Sequence, residues 1–167
     1  VRDRRHLLFA TDEQLDVLSR AKSWYVDGTF KLCRRPFNQL LTVNAFVRAD
    51  NHVKQVPLVF VLMSGRKKKD YKVVFQALLE VLPISPLVKR ITLDFERALW
   101  QILRIPFPNV KIIGCAFHWT QALWRKVRNC ISLNLFATCK EIQLQGNIFP
   151  FLIVAHLWWP RTAIAFF

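Results

Sequence analysis

A change of hydrophobic period near residue 70 constrains what this chain can fold into more than any other feature. Before it lie three runs rich in apolar and β-branched residues, residues 24–30 (WYVDGTF), 40–47 (LLTVNAFV) and 55–63 (QVPLVFVLM). Such runs read as strands, and short links between them imply antiparallel neighbours. The first link, residues 33–38 (CRRPFN), is hairpin-like, and Pro57 stands near the start of the third run, where a missing N–H is tolerated. From residue 70 to 82 the period changes: Tyr71, Val74, Phe75, Leu78, Leu79 and Leu82 fall on one helical face, and Pro83 and Pro86 end it. Strand-like and helix-like segments then alternate. Residues 90–94 (RITLD) and 110–115 (VKIIGC) read as strands, residues 96–103 and 118–128 as helices. A short helix over residues 12–21, with Leu15 and Leu18 on one side, precedes the first strand. Helical crossovers join parallel strands. The expected architecture is therefore α/β: a mixed five-stranded sheet, three antiparallel strands then two parallel, flanked by helices.

The organisation expected is a helical lead-in over residues 1–22, a core over residues 23–130, and an unmatched apolar tail over residues 131–167 without a clean period. Residues 148–167 have the length of a membrane span, but Pro150, His156, Pro160 and Arg161 fit one poorly, so a span is not expected. The chain opens at Val1 with charged residues, which reads as a fragment or processed piece without a targeting segment. Cys33, Cys115, Cys130 and Cys139 are widely spread, and reduced thiols are the default for them.

Lys plus Arg number 25 against 11 Asp plus Glu, a formal charge of +14 in 167 residues. That balance favours a polyanionic partner, nucleic acid first and an anionic membrane surface second, over a basic globule with no such partner. The cations gather in three places: Lys31, Arg34 and Arg35 in the first link; Arg66, Lys67, Lys68 and Lys69 before the first long helix; and Arg125, Lys126 and Arg128 late in the last helix. Such groups hold phosphates without choosing sequence. The second cluster also resembles a nuclear import signal, which makes the nucleus the expected location. Trp119 and Trp124 could stack on bases, although at least one of them is expected in the core. No helix-turn-helix or complete zinc finger is evident.

Two acids stand out against their surroundings. Asp27 lies inside an apolar strand, and Asp94 ends another. Burying a carboxylate without a partner is costly. Each taken singly also fits a local role: Asp27 precedes Gly28 and could begin a turn, and Asp94 could cap the following helix. The expected sheet, however, sets the first and fourth strands side by side and parallel. Two carboxylates brought close repel unless a cation neutralises them, and an oxygen-only pair suits Mg²⁺ or Mn²⁺.

The runs YVDGTFK, LLTVNAF, QVPLVFVLMS, KKDYKVVFQALLEVL, ITLDFERAL and GCAFHWTQALWRKV, in that order, resemble the Mutator-like (MULE) transposase domain over residues 24–128. The resemblance implies an RNase H-like fold, an acidic triad holding two divalent metal ions, and DNA as the partner. It carries the first aspartate onto Asp27, the second onto Asp94, and a C-x2-H motif onto Cys115 and His118. The third acid of the triad has no convincing counterpart. Glu141 is the only acid after Glu96, and its surroundings (TCKEIQLQ) do not match. The expectation is thus a partial transposase core that binds DNA and is inactive, or nearly so, alone. Its competitors are an active metal-dependent nuclease that recruits Glu96, Glu141 or another chain for the third acid, a non-enzymatic interaction module of transposase descent, and a membrane-associated protein. Cys115 and His118 form only half a zinc site, and Cys130, Cys139 and His156 stand at spacings that fit no common pattern. Self-association is left open.

Overall fold

A computed structural model describes residues 5–30, 32–49 and 52–132, with side chains described as far as residue 128. The chain divides into two compact units, Val1–Cys115 and Ala116–Phe167. The first holds the sheet and three helices in the order β1 (His6–Phe9), α1 (Asp12–Arg20), β2 (Ser23–Phe30), β3 (Gln39–Ala49), β4 (His52–Met63), α2 (Lys68–Val81), β5 (Arg90–Leu93), α3 (Arg97–Leu103) and β6 (Lys111–Gly114). In the second, α4 spans Ala116–Ser132.

The sheet is mixed and six-stranded, in the order β1-β4-β3-β2-β5-β6. The meander β2-β3-β4 is antiparallel, and β5 and β6 add in parallel beside β2. This is the mixed α/β arrangement expected from the order of periods, consistent with the RNase H-like fold that the resemblance implies. It carries one strand more than expected, because β1 pairs antiparallel with the last four residues of β4 (His6↔Met63 to Phe9↔Phe60). The lead-in therefore begins with an edge strand. Its four residues, alternately half-buried and exposed, are too few to show a period.

Local chemistry accounts for the helix starts. Thr11 caps α1 in a reciprocal box: its Oγ1 accepts from Gln14 N (3.3 Å), and Thr11 N donates to Gln14 Oε1 (2.9 Å). At the start of α2, the buried Asp70 carboxylate accepts the Lys67 backbone N–H at 2.8 Å and lies 3.6 Å from His6 Nε2. Pro57 opposes Asn44 beside a bulge in β4, where Leu58 is the extra residue, and lies outside the stretch of β4 that β1 covers, so its missing N–H falls at an irregular point of the ladder.

One face of the sheet builds the core. Trp24 and Val26 of β2, Leu41, Val43 and Ala45 of β3, Val59, Val61 and Met63 of β4, and Ile91 and Leu93 of β5 are all buried. Leu15 and Leu18 of α1, Tyr71, Val74, Phe75 and Leu78 of α2, and Leu99, Ile102 and Leu103 of α3 join the same cluster. Trp24 is fully enclosed, meets Phe107 edge-on at 5.5 Å, and donates its indole N–H to Leu18 O at 3.0 Å. Truncating such a residue to alanine costs about 3–5 kcal/mol. Among the described residues, no helix is long and apolar enough to cross a membrane. Residues 148–167 lie outside them.

Candidate metal and nucleic-acid site

The placement of Asp27 and Asp94 is set by strand register. In β2 and β5, Ser23 pairs with Arg90, Trp24 with Ile91, Tyr25 with Thr92 and Val26 with Leu93. Asp27 and Asp94 each follow by one residue, at the same level of neighbouring parallel strands, which run about 4.8 Å apart. Trp24, Val26, Ile91 and Leu93 point into the core, and alternation puts Asp27 on the other face of β2. Asp27 does not begin a turn. It is the fifth residue of an eight-residue strand and pairs with Thr42 of β3. Asp94 is the first residue past β5, and its Oδ1 accepts the Phe95 backbone N–H at 2.6 Å. The N-cap of α3 is Glu96, not Asp94.

The turn after Asp94 is held from several directions. Trp100 donates its indole N–H to Asp94 O at 2.8 Å, and Cys115 N donates to Leu93 O at 2.9 Å. The Phe95 ring stacks on Trp100, with centroids 6.3 Å apart and planes at 23°. It also covers Gly114, where an added Cβ would stand 2.5 Å from Phe95 Cζ, so this position of β6 accepts no side chain without displacing the ring.

An open cleft of about 370 Å³ lies against Asp94, lined by Phe30, Arg66, Asp94, Phe95 and Glu96. The Arg66 guanidinium sits 4.6 Å above the centre of the Phe30 ring, a cation–π contact that holds one cation of the second basic cluster at the cleft wall. Glu96 is tied back: its Oε2 accepts the Tyr71 hydroxyl at 2.6 Å, and Gln39 Nε2 donates to the same hydroxyl oxygen at 2.9 Å. Tyr71 is fully buried, and burial, followed by the bond to the Glu96 carboxylate, pushes its phenol well above its ordinary value. Sequence periodicity counts Tyr71 only as a core residue. The signal it misses is that a buried phenol O–H needs a partner.

Among the described residues, no three His, Cys, Asp or Glu side chains gather closely enough to hold a metal ion. The pair of aspartates nevertheless has the chemistry that a hard divalent cation takes, since both contribute only carboxylate oxygen.

The other expected residues are dispersed. Arg34 and Arg35 are exposed in the β2–β3 link, Arg66 and Lys67 are exposed ahead of α2, Lys68 and Lys69 are exposed in its first turn, and Lys31 lies outside the described residues. Cys115, a half-buried free thiol, ends the first unit, whereas His118, Arg125, Lys126 and Arg128 belong to α4 in the second. Arg125 Nη2 donates to Gln121 Oε1 at 2.8 Å along that helix. The expectation that Trp119 or Trp124 would be buried is corrected: both are exposed, at 40% and 44%. The apolar side of a helix does not by itself ensure coverage. The Cys130 side chain, Cys139, Glu141 and His156 lie outside the described residues.

No curated protein matches the sequence. Residues 23–122, more than half of the 167, match the family model of the MULE transposase domain. That match begins with β2, takes in all five strands of the meander and its parallel extension, and ends within α4. On that match, and with the strand order it accompanies, the chain belongs to the MULE transposase domain family, whose members generally use a divalent metal ion.

Proposed function

We propose that this chain is a transposase core that binds DNA at the edge carrying Asp27 and Asp94, and that these two carboxylates hold a single Mg²⁺ or Mn²⁺ weakly between them. The observation that carries the proposal is the parallel register of β2 and β5, which brings the two acids to the same level from positions far apart in sequence. When bound there, such a cation activates water and stabilises the leaving oxygen of a phosphodiester. The chain's own residues serve the substrate. Arg66, Lys67, Lys68 and Lys69 neutralise phosphates beside the cleft, and the Trp100 and Phe95 contacts keep the Asp94 turn fixed. Among the described residues no third carboxylate gathers at the pair, and on this reading strand cleavage and transfer by the chain alone is absent or nearly so, because the geometry for in-line attack is left unfixed. The proposed location is the nucleus, where the DNA is.

Calorimetry with Mn²⁺ tests the pair. The wild type binds weakly, and Asp27→Ala and Asp94→Asn each lose that binding. Equal binding by wild type and variants sinks the shared site. The tethering of Glu96 by Tyr71 favours a second reading, a non-enzymatic DNA-bound interaction module of transposase descent. Nicking of a supercoiled plasmid that needs Mn²⁺ and disappears in Asp94→Asn would remove that alternative and the inactivity together.

A further inference from the structure

We propose that the Phe95 ring is a stacking wedge for an unpaired DNA base, and that Arg97 and Arg104 hold the phosphates of the strand that it parts. The proposal deepens the DNA-binding reading and rests on it.

Phe95 is the residue immediately after Asp94 and is 54% exposed. Single exposed apolar residues are ordinary; this one is also held fixed. Its ring is stacked on Trp100, lies over the backbone of Gly114, and grows from a turn whose Asp94 carbonyl is bound by the Trp100 indole. The ring is thus supported from behind and from below, and more than half of the residue still faces outward.

It also stands between two clefts. On one side is the cleft of about 370 Å³ with Asp94 and Glu96. On the other is a cleft of about 410 Å³ that Phe95 shares with Arg97, Trp100, Gln101 and Arg104. Both volumes fall in the range of small-molecule pockets of about 300–1,000 Å³. The second contains two arginines and no acid, so phosphates are favoured there outright, whereas beside Asp94 and Glu96 they depend on Arg66 and a bound cation to offset the carboxylates. A rigid π-face between a cleft of mixed charge and a basic one fits a base pulled out of its stack. Every base offers a π-face, so the preference is for unpaired strands and not for a sequence.

The test compares binding of the full chain to a blunt duplex and to the same duplex with a short unpaired fork, by fluorescence anisotropy, with 2-aminopurine at the fork as a stacking reporter. The wild type binds the fork about tenfold more tightly and quenches the reporter. Phe95→Ala brings the fork down to the duplex affinity. Phe95→Leu, which keeps apolar packing on Gly114 and Trp100, does the same, and Phe95→Trp retains the preference. Arg97→Gln combined with Arg104→Gln weakens fork binding more than duplex binding. Equal wild-type affinity for the two DNAs, or a preference that survives in Phe95→Leu, overturns the wedge while leaving DNA binding intact. Failure to bind either DNA overturns the underlying reading as well.

Discussion

Replacing Tyr71 with phenylalanine removes one oxygen atom from the wall of the candidate site, and the structure sets the size of the effect. That oxygen donates to Glu96 Oε2 at 2.6 Å and accepts from Gln39 Nε2 at 2.9 Å. A hydrogen bond to a charged group contributes about 1.5–3 kcal/mol. Glu96 is only half-buried and regains part of that from water. Gln39 has no such recourse: it is fully buried, and its Nε2 keeps only the Met63 sulfur at 3.1 Å, so the missing acceptor adds about 1 kcal/mol or more. The expected destabilisation of Tyr71→Phe is about 3 kcal/mol in urea unfolding. A double-mutant cycle with Glu96→Gln then returns a coupling of about 1–2 kcal/mol. The pH dependence has a definite sign. The folded state raises the phenol above its ordinary 10.0, so it favours the protonated form; this contribution is complete below pH 10.0 and is lost as pH climbs beyond it. Wild type therefore loses stability more steeply than Tyr71→Phe above that pH. A cost below about 0.5 kcal/mol, within the scatter of ordinary surface substitutions, or superimposable alkaline profiles would refute the account.

Gly114→Ala forces the Phe95 ring off the end of β6, since the new Cβ would stand 2.5 Å from Phe95 Cζ; urea unfolding should show a loss of about 1–3 kcal/mol, and Phe95→Ala in the same chain should recover part of it. Replacing Lys67, Lys68 and Lys69 with alanine should flatten the dependence of DNA affinity on salt, lowering the magnitude of the log–log slope by about 0.9 for each phosphate no longer neutralised; an unchanged slope in anisotropy titrations removes this cluster from the interface.

The sequence makes legible what is carried by period and by register. Residues 70–82 sort onto one helical face, and α2 buries Tyr71, Val74, Phe75 and Leu78 from that set. Asp27 and Asp94 are visible because an acid in an apolar strand is conspicuous, and strand order predicts that their strands are neighbours, as β2 and β5 are. What stays hidden is carried by single polar atoms that reach between elements. The helical period records the ring of Tyr71 and is blind to its hydroxyl, whose partner Glu96 lies 25 residues away at the start of another helix. Phe95, too, is an unremarkable apolar residue in the string LDFE; only the Trp100 stack and the Gly114 backbone turn it into a fixed ring between two clefts. The same division separates the two kinds of chemistry at this edge. The carboxylate pair depends on backbone pairing that core burial enforces and on the Trp100 bond to the Asp94 carbonyl, so it should tolerate changes at the exposed Arg97 and Arg104 but not at Trp100. The ring and the arginines beside it depend on side-chain contacts within the turn and α3, so binding there should be abolished by substitutions that leave the sheet and the aspartate pair in place.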